Sequence, residues 1–104
     1  MDIAEYKLRY TQDFLDDLNG IVDYIAGTLL NPDAAQRLVD DVHFAILERL
    51  KSPTAFERYH SRLSLQDVWY RIRVRNFTVF YVVEDDTMEV RRILYERRDW
   101  KNLI

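Results

Sequence analysis

The run from Trp69 to Asn102 constrains the fold of this chain more than any other part of the sequence. It predicts three neighbouring strands, joined by short polar turns and followed by a cluster of arginines. Apolar and basic residues alternate in the first strand, through the letters YRIRVR. Successive side chains of a strand point to opposite faces of the sheet, so one face is basic and the other apolar. The arginines predicted to share the basic face are Arg71, Arg73 and Arg75.

Length and composition predict a single domain at 1–104, because 104 residues that are 48% hydrophobic can enclose one core. The absence of cysteine excludes disulfides, thiolate catalysis and cysteine zinc sites, and it favours an intracellular location. Uncharged apolar runs such as Phe77 to Val83 are far shorter than the roughly 20 residues that span a bilayer. The first ten residues do not resemble a secretory signal. We therefore expect a cytoplasmic protein without membrane contact.

The net charge of −3 hides an asymmetry between the two halves of the chain. Residues 1–51 carry a net charge of −5, whereas residues 52–104 carry +2. Binding depends on the local field of a surface more than on the total charge of the molecule. The acidic half therefore lowers the expectation of an anionic partner but does not exclude one.

The first half of the chain predicts a strand followed by two helices. Polar and aromatic or aliphatic residues alternate from Tyr6 to Tyr10, which is typical of a half-buried strand. Thr11 is placed to cap one helix, and Asn31, followed by proline, to cap a second that Pro53 ends. Their short connection predicts an antiparallel helical hairpin. Gly20 lies inside the first helix at a cost of about 1 kcal/mol relative to alanine, which suggests close approach of a neighbouring helix.

The segments between and after these elements are less regular. Ser52 to Asp67 shows no periodicity and is predicted to be partly packed, with Phe56, Tyr59 and Leu63 as anchors. Two turns are predicted between the last three strands, at Asn76 and at Glu84-Asp85-Asp86. The tail from Asp99 to Ile104 is predicted to form a short terminal helix.

This order of elements predicts an α+β fold. It has an N-terminal strand, an antiparallel helical hairpin and a three-strand antiparallel meander, which together form a twisted, mainly antiparallel sheet with helices on one face. The other face would carry Arg71 and Arg73, joined by Arg91 or Arg92 and by the arginines at the sheet end. Like charges gathered on one surface repel each other. The pattern therefore indicates an anionic ligand that neutralises them.

The order of the elements, the strand WYRIRV, the hairpin NFTVFYVVEDD and the closing strand with its tail RRILYERRDW resemble the RelE/ParE superfamily of bacterial toxins. These toxins belong to type II toxin–antitoxin modules and are often named plasmid stabilisation proteins. The resemblance implies a small cytoplasmic toxin that forms a hetero-oligomer with an antitoxin, whose C-terminal segment wraps the toxin. RelE-like members cleave messenger RNA in the ribosome, whereas ParE-like members poison DNA gyrase.

The resemblance also implies roles for individual residues. RNA cleavage without a metal or cofactor needs a base for the 2′-hydroxyl, cations for the crowded phosphate and an acid for the leaving oxygen. By position, Arg71 and Arg73 match the basic pair that holds phosphates. Arg97 or Arg98 would stabilise the transition state, and Tyr95 would stack on a base or transfer a proton.

Two departures weaken the assignment of an endoribonuclease, that is, an mRNA interferase. Many RNA-cleaving relatives have an arginine where this chain has Thr78, directly after Phe77. Arginine is also a poor general base, and the closing cluster contains no histidine. The string YERRD resembles ParE-like sequences instead. The sequence slightly favours the ribonuclease because the arginine-bearing face suits a phosphate-rich ligand, with a gyrase poison or a decayed toxin that only binds antitoxin as alternatives.

Structural roles remain open for the same residues. Arg71 and Arg73 can be the solvated side of a strand, and Tyr95 can belong to the core. Arg97, Arg98 and Asp99 can form an ion-pair network within the chain. Of the two histidines, His43 is interpreted as structural, whereas His60 lies on the loop, where it is either exposed or a proton-transfer group beside the arginines.

Overall fold

The computed structural model describes residues 5–59 and 68–96. The elements, in chain order, are β1 at Lys7–Tyr10, α1 at Gln12–Asp23, a π-helical segment at Tyr24–Thr28, α2 at Pro32–Leu50, β2 at Arg58–Tyr59, β3 at Trp69–Val74, β4 at Phe77–Glu84 and β5 at Thr87–Tyr95. The predicted α+β class is confirmed. The predicted terminal helix, the anchor Leu63, and His60, Arg97 and Arg98 lie outside the described residues.

The strands form one sheet in the order β1-β5-β4-β3-β2. Strands β3, β4 and β5 make the predicted antiparallel meander. Strand β1 runs parallel to β5, because the two helices carry the chain from β1 across one face before it re-enters the sheet. The sheet is therefore mixed. It also gains β2, a two-residue strand beside β3, within the segment that showed no periodicity.

Both predicted helix caps are present. The hydroxyl oxygen of Thr11 accepts a hydrogen bond of 3.1 Å from the backbone N–H of Phe14. The side-chain oxygen of Asn31 accepts one of 3.1 Å from the backbone N–H of Ala34, with proline at the first turn. Each cap satisfies an amide that has no partner inside its helix, a contribution of about 1 kcal/mol.

The main core lies between the helices and one face of the sheet. The helices contribute Phe14, Leu38, Val42 and Ile46, and the sheet contributes Tyr70, Ile72, Val74, Val79, Tyr81, Met88, Val90 and Ile93. The apolar half of the YRIRVR alternation thus faces the helices, as predicted. None of the helices in the described ranges is long and apolar enough to cross a bilayer.

Two local predictions are wrong. Gly20 does not mark close helix packing, because a Cβ atom built there would meet no atom within 4 Å. Arg75 does not continue the basic face, because it occupies the turn between β3 and β4 with a φ of 55°. The alternation therefore ends at Val74, where the hairpin reverses.

Candidate target-binding surface

The sheet face opposite the helices carries Arg71 and Arg73 and is called the arginine face below. Both side chains project from β3 and are exposed. This face also carries a second apolar cluster of Trp69, Phe80 and Val82, all buried, with Leu94 against it. The expectation of an uncovered basic surface is therefore wrong, since its middle is apolar and shielded from solvent.

Most arginines placed near this surface by the sequence pattern already contact carboxylates. Arg73 contacts Glu96 at 2.6 Å, just beyond the end of β5. Arg75 contacts Asp41 of α2 at 2.6 Å, on the helix side of the molecule. Repulsion among these arginines is thus relieved within the chain. For Arg73 and Arg75 the prediction that a ligand must neutralise them is therefore not supported, whereas Arg97 and Arg98 lie outside the described residues.

Arg91 and Arg92 lie at an irregularity in the pairing of β4 with β5. Phe80 pairs with Arg92 and Tyr81 with Val90, so Arg91 is an extra residue that bulges from β5. The guanidinium of Arg92 donates two hydrogen bonds to Asp17 of α1, at 2.7 and 3.0 Å. Asp17 raises the pKa of Arg92 through these bonds, although burial opposes the shift.

Glu89 joins two arginines on the arginine face. Its carboxylate lies 2.7 Å from Arg9 of β1 and 2.7 Å from Arg91 of β5. Burial opposes ionisation of Glu89, but the hydrogen bonds from Arg91 and Arg9 outweigh it and hold the pKa below its usual value. The guanidinium of Arg91 also lies 5.2 Å from the ring centroid of Trp69, in cation–π range. The two ion pairs of Glu89 thus link β1 to β5 and stabilise the sheet.

Tyr95 does not lie beside Arg71 and Arg73. It alternates with Leu94 on β5, so it shares the helix-bearing face with Ile93, and its ring centroid is 5.5 Å from that of Phe77. Thr78, which stands where many RNA-cleaving relatives have arginine, is 6% exposed. Of the three predicted site residues that the structure describes, Arg71 and Arg73 therefore lie together and Tyr95 does not. A metal site would need a group of three or more His, Asp or Glu side chains, and the residues that the structure describes contain no such group.

A polar network that the sequence pattern does not reveal lies under the loop that follows α2. The hydroxyl of Tyr81 donates to the Pro53 carbonyl at 2.6 Å and accepts from Arg49 at 2.9 Å. Arg49 also donates to the Arg71 carbonyl at 3.0 Å and lies 3.5 Å from the ring centroid of Phe56. Burial raises the pKa of Tyr81, partly offset by Arg49. The network fixes the loop and the backbone of β3 beneath Arg71.

A groove of about 1060 Å³ runs between α1 with its π-helical extension and the adjacent ends of β4 and β5. It is called the α1 groove below. Its helical side includes Asp16, Gly20, Ile21, Tyr24, Ile25 and Leu29, and its sheet side includes Phe77, Ile93, Leu94 and Tyr95. Tyr24 and Leu29 are each more than half exposed. Large apolar side chains are thus open to solvent along a concave surface.

The comparisons with known proteins agree with this architecture. A family model described as the ParE toxin of the type II toxin-antitoxin system, parDE, matches residues 8–100. Because the match spans most of the chain, this chain belongs to the ParE toxin family of type II toxin–antitoxin systems. No curated protein sequence matches it.

Two solved structures have a similar fold. One is described as the chromosomal ParDE TA system from P. aeruginosa, with a TM-score of 0.70 and 18% identity over 88% of this chain and 97% of that chain. The other is the RelB-RelE antitoxin-toxin complex from Methanococcus jannaschii, with a TM-score of 0.51 and 18% identity over 92% and 99%. At this identity the likeness shows a shared fold.

Proposed function

We propose that this toxin acts as a ParE-like poison of DNA gyrase and that a cognate antitoxin holds it inactive in a hetero-oligomer. The observation that carries the proposal is the match of residues 8–100 to the ParE family model. The ParDE system from P. aeruginosa, with its TM-score of 0.70, supports it as a likeness of fold. This choice of gyrase as the target differs from the expectation drawn from the sequence, which slightly favoured ribosome-dependent cleavage of messenger RNA.

The contacts of the arginine face support gyrase poisoning over RNA cleavage. Phosphoryl transfer from RNA needs a proton acceptor and cations aimed at the phosphate. Arg73 is engaged by Glu96, and the position that carries arginine in many RNA-cleaving relatives holds the buried Thr78. A surface ion pair contributes only about 0–1 kcal/mol, so a ligand can displace it, but the cation is not held ready for catalysis. Inhibition of gyrase by binding needs neither a proton acceptor nor a cation aimed at a phosphate.

Arg71, Arg73, Tyr95, Arg97 and Arg98 remain the proposed target-contact residues. Arg71 and Arg73 are exposed on β3, and Tyr95 is half-buried at the end of β5, two residues before Arg97 in the sequence. A protein surface with exposed guanidinium groups is suited to contact with carboxylates or phosphates of a large partner. The exposure of Arg71 and Arg73 is also the observation that favours the second candidate, an RNA-cleaving toxin.

Induced expression without antitoxin separates the candidates. We expect growth arrest with a DNA-damage response, while transcripts isolated from the same cells stay intact within reading frames. Cleavage of transcripts on ribosomes would overturn the proposal in favour of the mRNA interferase. Normal growth would favour the third candidate, a decayed toxin that only binds antitoxin.

Arg73 and Arg75 offer a matched pair of variants for this assay. They are two residues apart, and each contacts one carboxylate, but only Arg73 lies on the arginine face. Because both ion pairs are at least partly exposed, Arg73→Ala and Arg75→Ala should have similar, small effects on stability. We expect Arg73→Ala to relieve the growth arrest and Arg75→Ala to retain it. Equal relief by both would remove the arginine face from the proposed contact surface.

A further inference from the structure

The side of α2 that points away from the sheet carries two large apolar side chains in the open. The sheet-facing side of this helix is buried, through Ala35, Leu38, Val42 and Ile46. On the other side, Phe44 is 66% exposed and Leu47 is 44% exposed. They are three residues apart, so they are neighbours on the helix surface. Neither belongs to a core cluster of the described residues, and adjacent apolar side chains in water indicate a contact surface.

Charges of opposite sign flank this apolar pair along the helix. Asp40 lies one turn before Phe44, and Lys51 lies one turn after Leu47, at the C-cap with a helical backbone conformation. The spacing of the four residues, in steps of four, three and four, is that of the contact seam of a coiled coil. These four residues are called the α2 stripe below. None of them lines the α1 groove.

The two charges of the α2 stripe are available to a partner. Asp40 accepts a hydrogen bond of 3.0 Å from the neutral amide four residues earlier, and in the ranges that the structure describes no Lys or Arg forms an ion pair with it. Lys51 contacts Glu48 at 2.9 Å, but both side chains are exposed, so the pair contributes at most about 1 kcal/mol. Lys51 can therefore contact a second carboxylate. Asp41, beside the stripe, is already paired with Arg75.

We infer that the α2 stripe is the contact surface of a homodimer, in which α2 of a second copy of this chain lies antiparallel to the first. Aligning Phe44 with Leu47 of the second copy also aligns Asp40 with Lys51 of the second copy, because each pair is centred between residues 45 and 46. Two-fold symmetry repeats both contacts, so two apolar layers lie between two ion pairs. A parallel alignment would set like charges against each other. The stripe thus complements itself, and only in the antiparallel direction.

This dimer leaves the arginine face of each copy open, because the α2 stripe and the arginine face lie on opposite sides of the molecule. The assembly therefore presents two arginine faces on its outer surfaces. Two helices that meet over four layers bury less than the roughly 1,200 Å² of a stable interface. We therefore expect reversible association with a dissociation constant on the order of 100 µM. The inference goes beyond gyrase poisoning and does not depend on it.

Sedimentation equilibrium of the purified full-length protein, from about 10 µM to about 1 mM, tests the inference. We expect the wild type to dimerise over this range. Phe44→Ala should weaken the dimer roughly tenfold or more, because it removes an aromatic side chain from both apolar layers. It should change the melting temperature of the dilute protein little, since this side chain is mostly exposed. Leu15→Ala is the control, because Leu15 of α1 is 39% exposed and lies outside the stripe, and it should leave dimerisation within about twofold of the wild type.

Charge reversal tests the antiparallel register. Asp40→Lys and Lys51→Asp each set like charges against each other twice, so each variant alone should associate about tenfold more weakly than the wild type. An equimolar mixture restores opposite charges at both ends, and we expect mixed dimers within about threefold of the wild-type affinity. The mixture contains the same two chains, so this recovery cannot come from a change in folding. Asp23→Lys makes the same charge change at an exposed position of α1 and should have less than about a twofold effect.

Three results would overturn the inference. A wild type that stays monomeric up to about 1 mM would assign the exposed apolar pair to a different partner, such as the antitoxin. A dimer that Phe44→Ala leaves intact would place the interface elsewhere. A mixture that associates as weakly as its separate components, or equal weakening by Asp23→Lys, would contradict the proposed register. Gyrase is absent from these measurements, so failure of dimerisation leaves gyrase poisoning intact, and failure of gyrase poisoning leaves the dimer intact.

Discussion

Removal of one hydroxyl group, in Tyr81→Phe, tests the network that joins the loop after α2 to the sheet. Tyr81 is fully buried, and its hydroxyl donates to the Pro53 carbonyl at 2.6 Å and accepts from Arg49 at 2.9 Å. The variant leaves the carbonyl of a buried proline without this donor, which costs about 1–3 kcal/mol. Arg49 keeps its bond to the Arg71 carbonyl, so the loss stays near the middle of that range.

We expect the free energy of unfolding to fall by about 2 kcal/mol, measured by urea denaturation with circular dichroism, with an unchanged m-value. The melting temperature should fall by roughly 10 °C in a domain of this size. Tyr70→Phe is the control, because Tyr70 is also buried and stacks on Tyr81 at 5.2 Å, but none of the described residues hydrogen-bonds its hydroxyl. It should lose less than about 0.5 kcal/mol. Equal losses in both variants would show that the hydrogen bonds of the Tyr81 hydroxyl do not stabilise the fold.

The difference in stability between wild type and Tyr81→Phe should also depend on pH. Burial raises the pKa of Tyr81 above the ordinary value of 10.0 that it has in the unfolded chain. A raised pKa in the folded state means that the stability contribution is complete below pH 10.0 and is lost as the pH rises through the folded-state pKa. The difference in stability between wild type and Tyr81→Phe should therefore narrow above pH 10.0. A difference that widens there would contradict burial as the cause.

Three further substitutions follow from the described contacts, all measurable by urea denaturation. Gly20→Ala should raise the free energy of unfolding by about 0.5–1 kcal/mol because the added methyl group meets open space, and a loss would contradict that geometry. Asp17→Ala should cost about 1–3 kcal/mol, since Asp17 accepts hydrogen bonds from Arg92 and from the backbone N–H of Ile93, and a loss below about 0.5 kcal/mol would contradict this role. The pKa of Glu89 is lowered in the folded state. Glu89 therefore stabilises the fold above pH 4.5, its ordinary pKa, and this contribution is lost as the pH falls through the folded-state pKa. Wild type should thus lose stability relative to Glu89→Gln below pH 4.5, and a constant difference would contradict the shift.

Local signals predicted the elements of this fold well. Thr11 and Asn31 cap the two helices because each supplies an oxygen to an unpaired amide, a rule that needs only neighbouring residues. The alternation before Val74 correctly predicted which side chains of β3 face the core. The parallel pairing of β1 with β5 was not predictable in this way, because it depends on where the helices return the chain.

The electrostatics of the candidate site was less predictable. Arg73 contacts Glu96, which is 23 residues away, and Arg92 contacts Asp17, which is 75 residues away. Alternation in one strand predicts the direction of a side chain but not its distant partner. The positive φ of Arg75 also interrupts the alternation at the turn, which the letters of the strand do not reveal.

The proposed gyrase poisoning requires that this ParE-family chain traps gyrase on DNA and leaves messenger RNA uncut. The most direct test incubates the purified full-length protein with gyrase, plasmid DNA and ATP, and then denatures the enzyme to reveal trapped cleavage complexes. A parallel reaction contains ribosomes translating a defined messenger RNA. We expect linearised plasmid in the first reaction and intact messenger RNA in the second. Intact plasmid together with cut messenger RNA would contradict it.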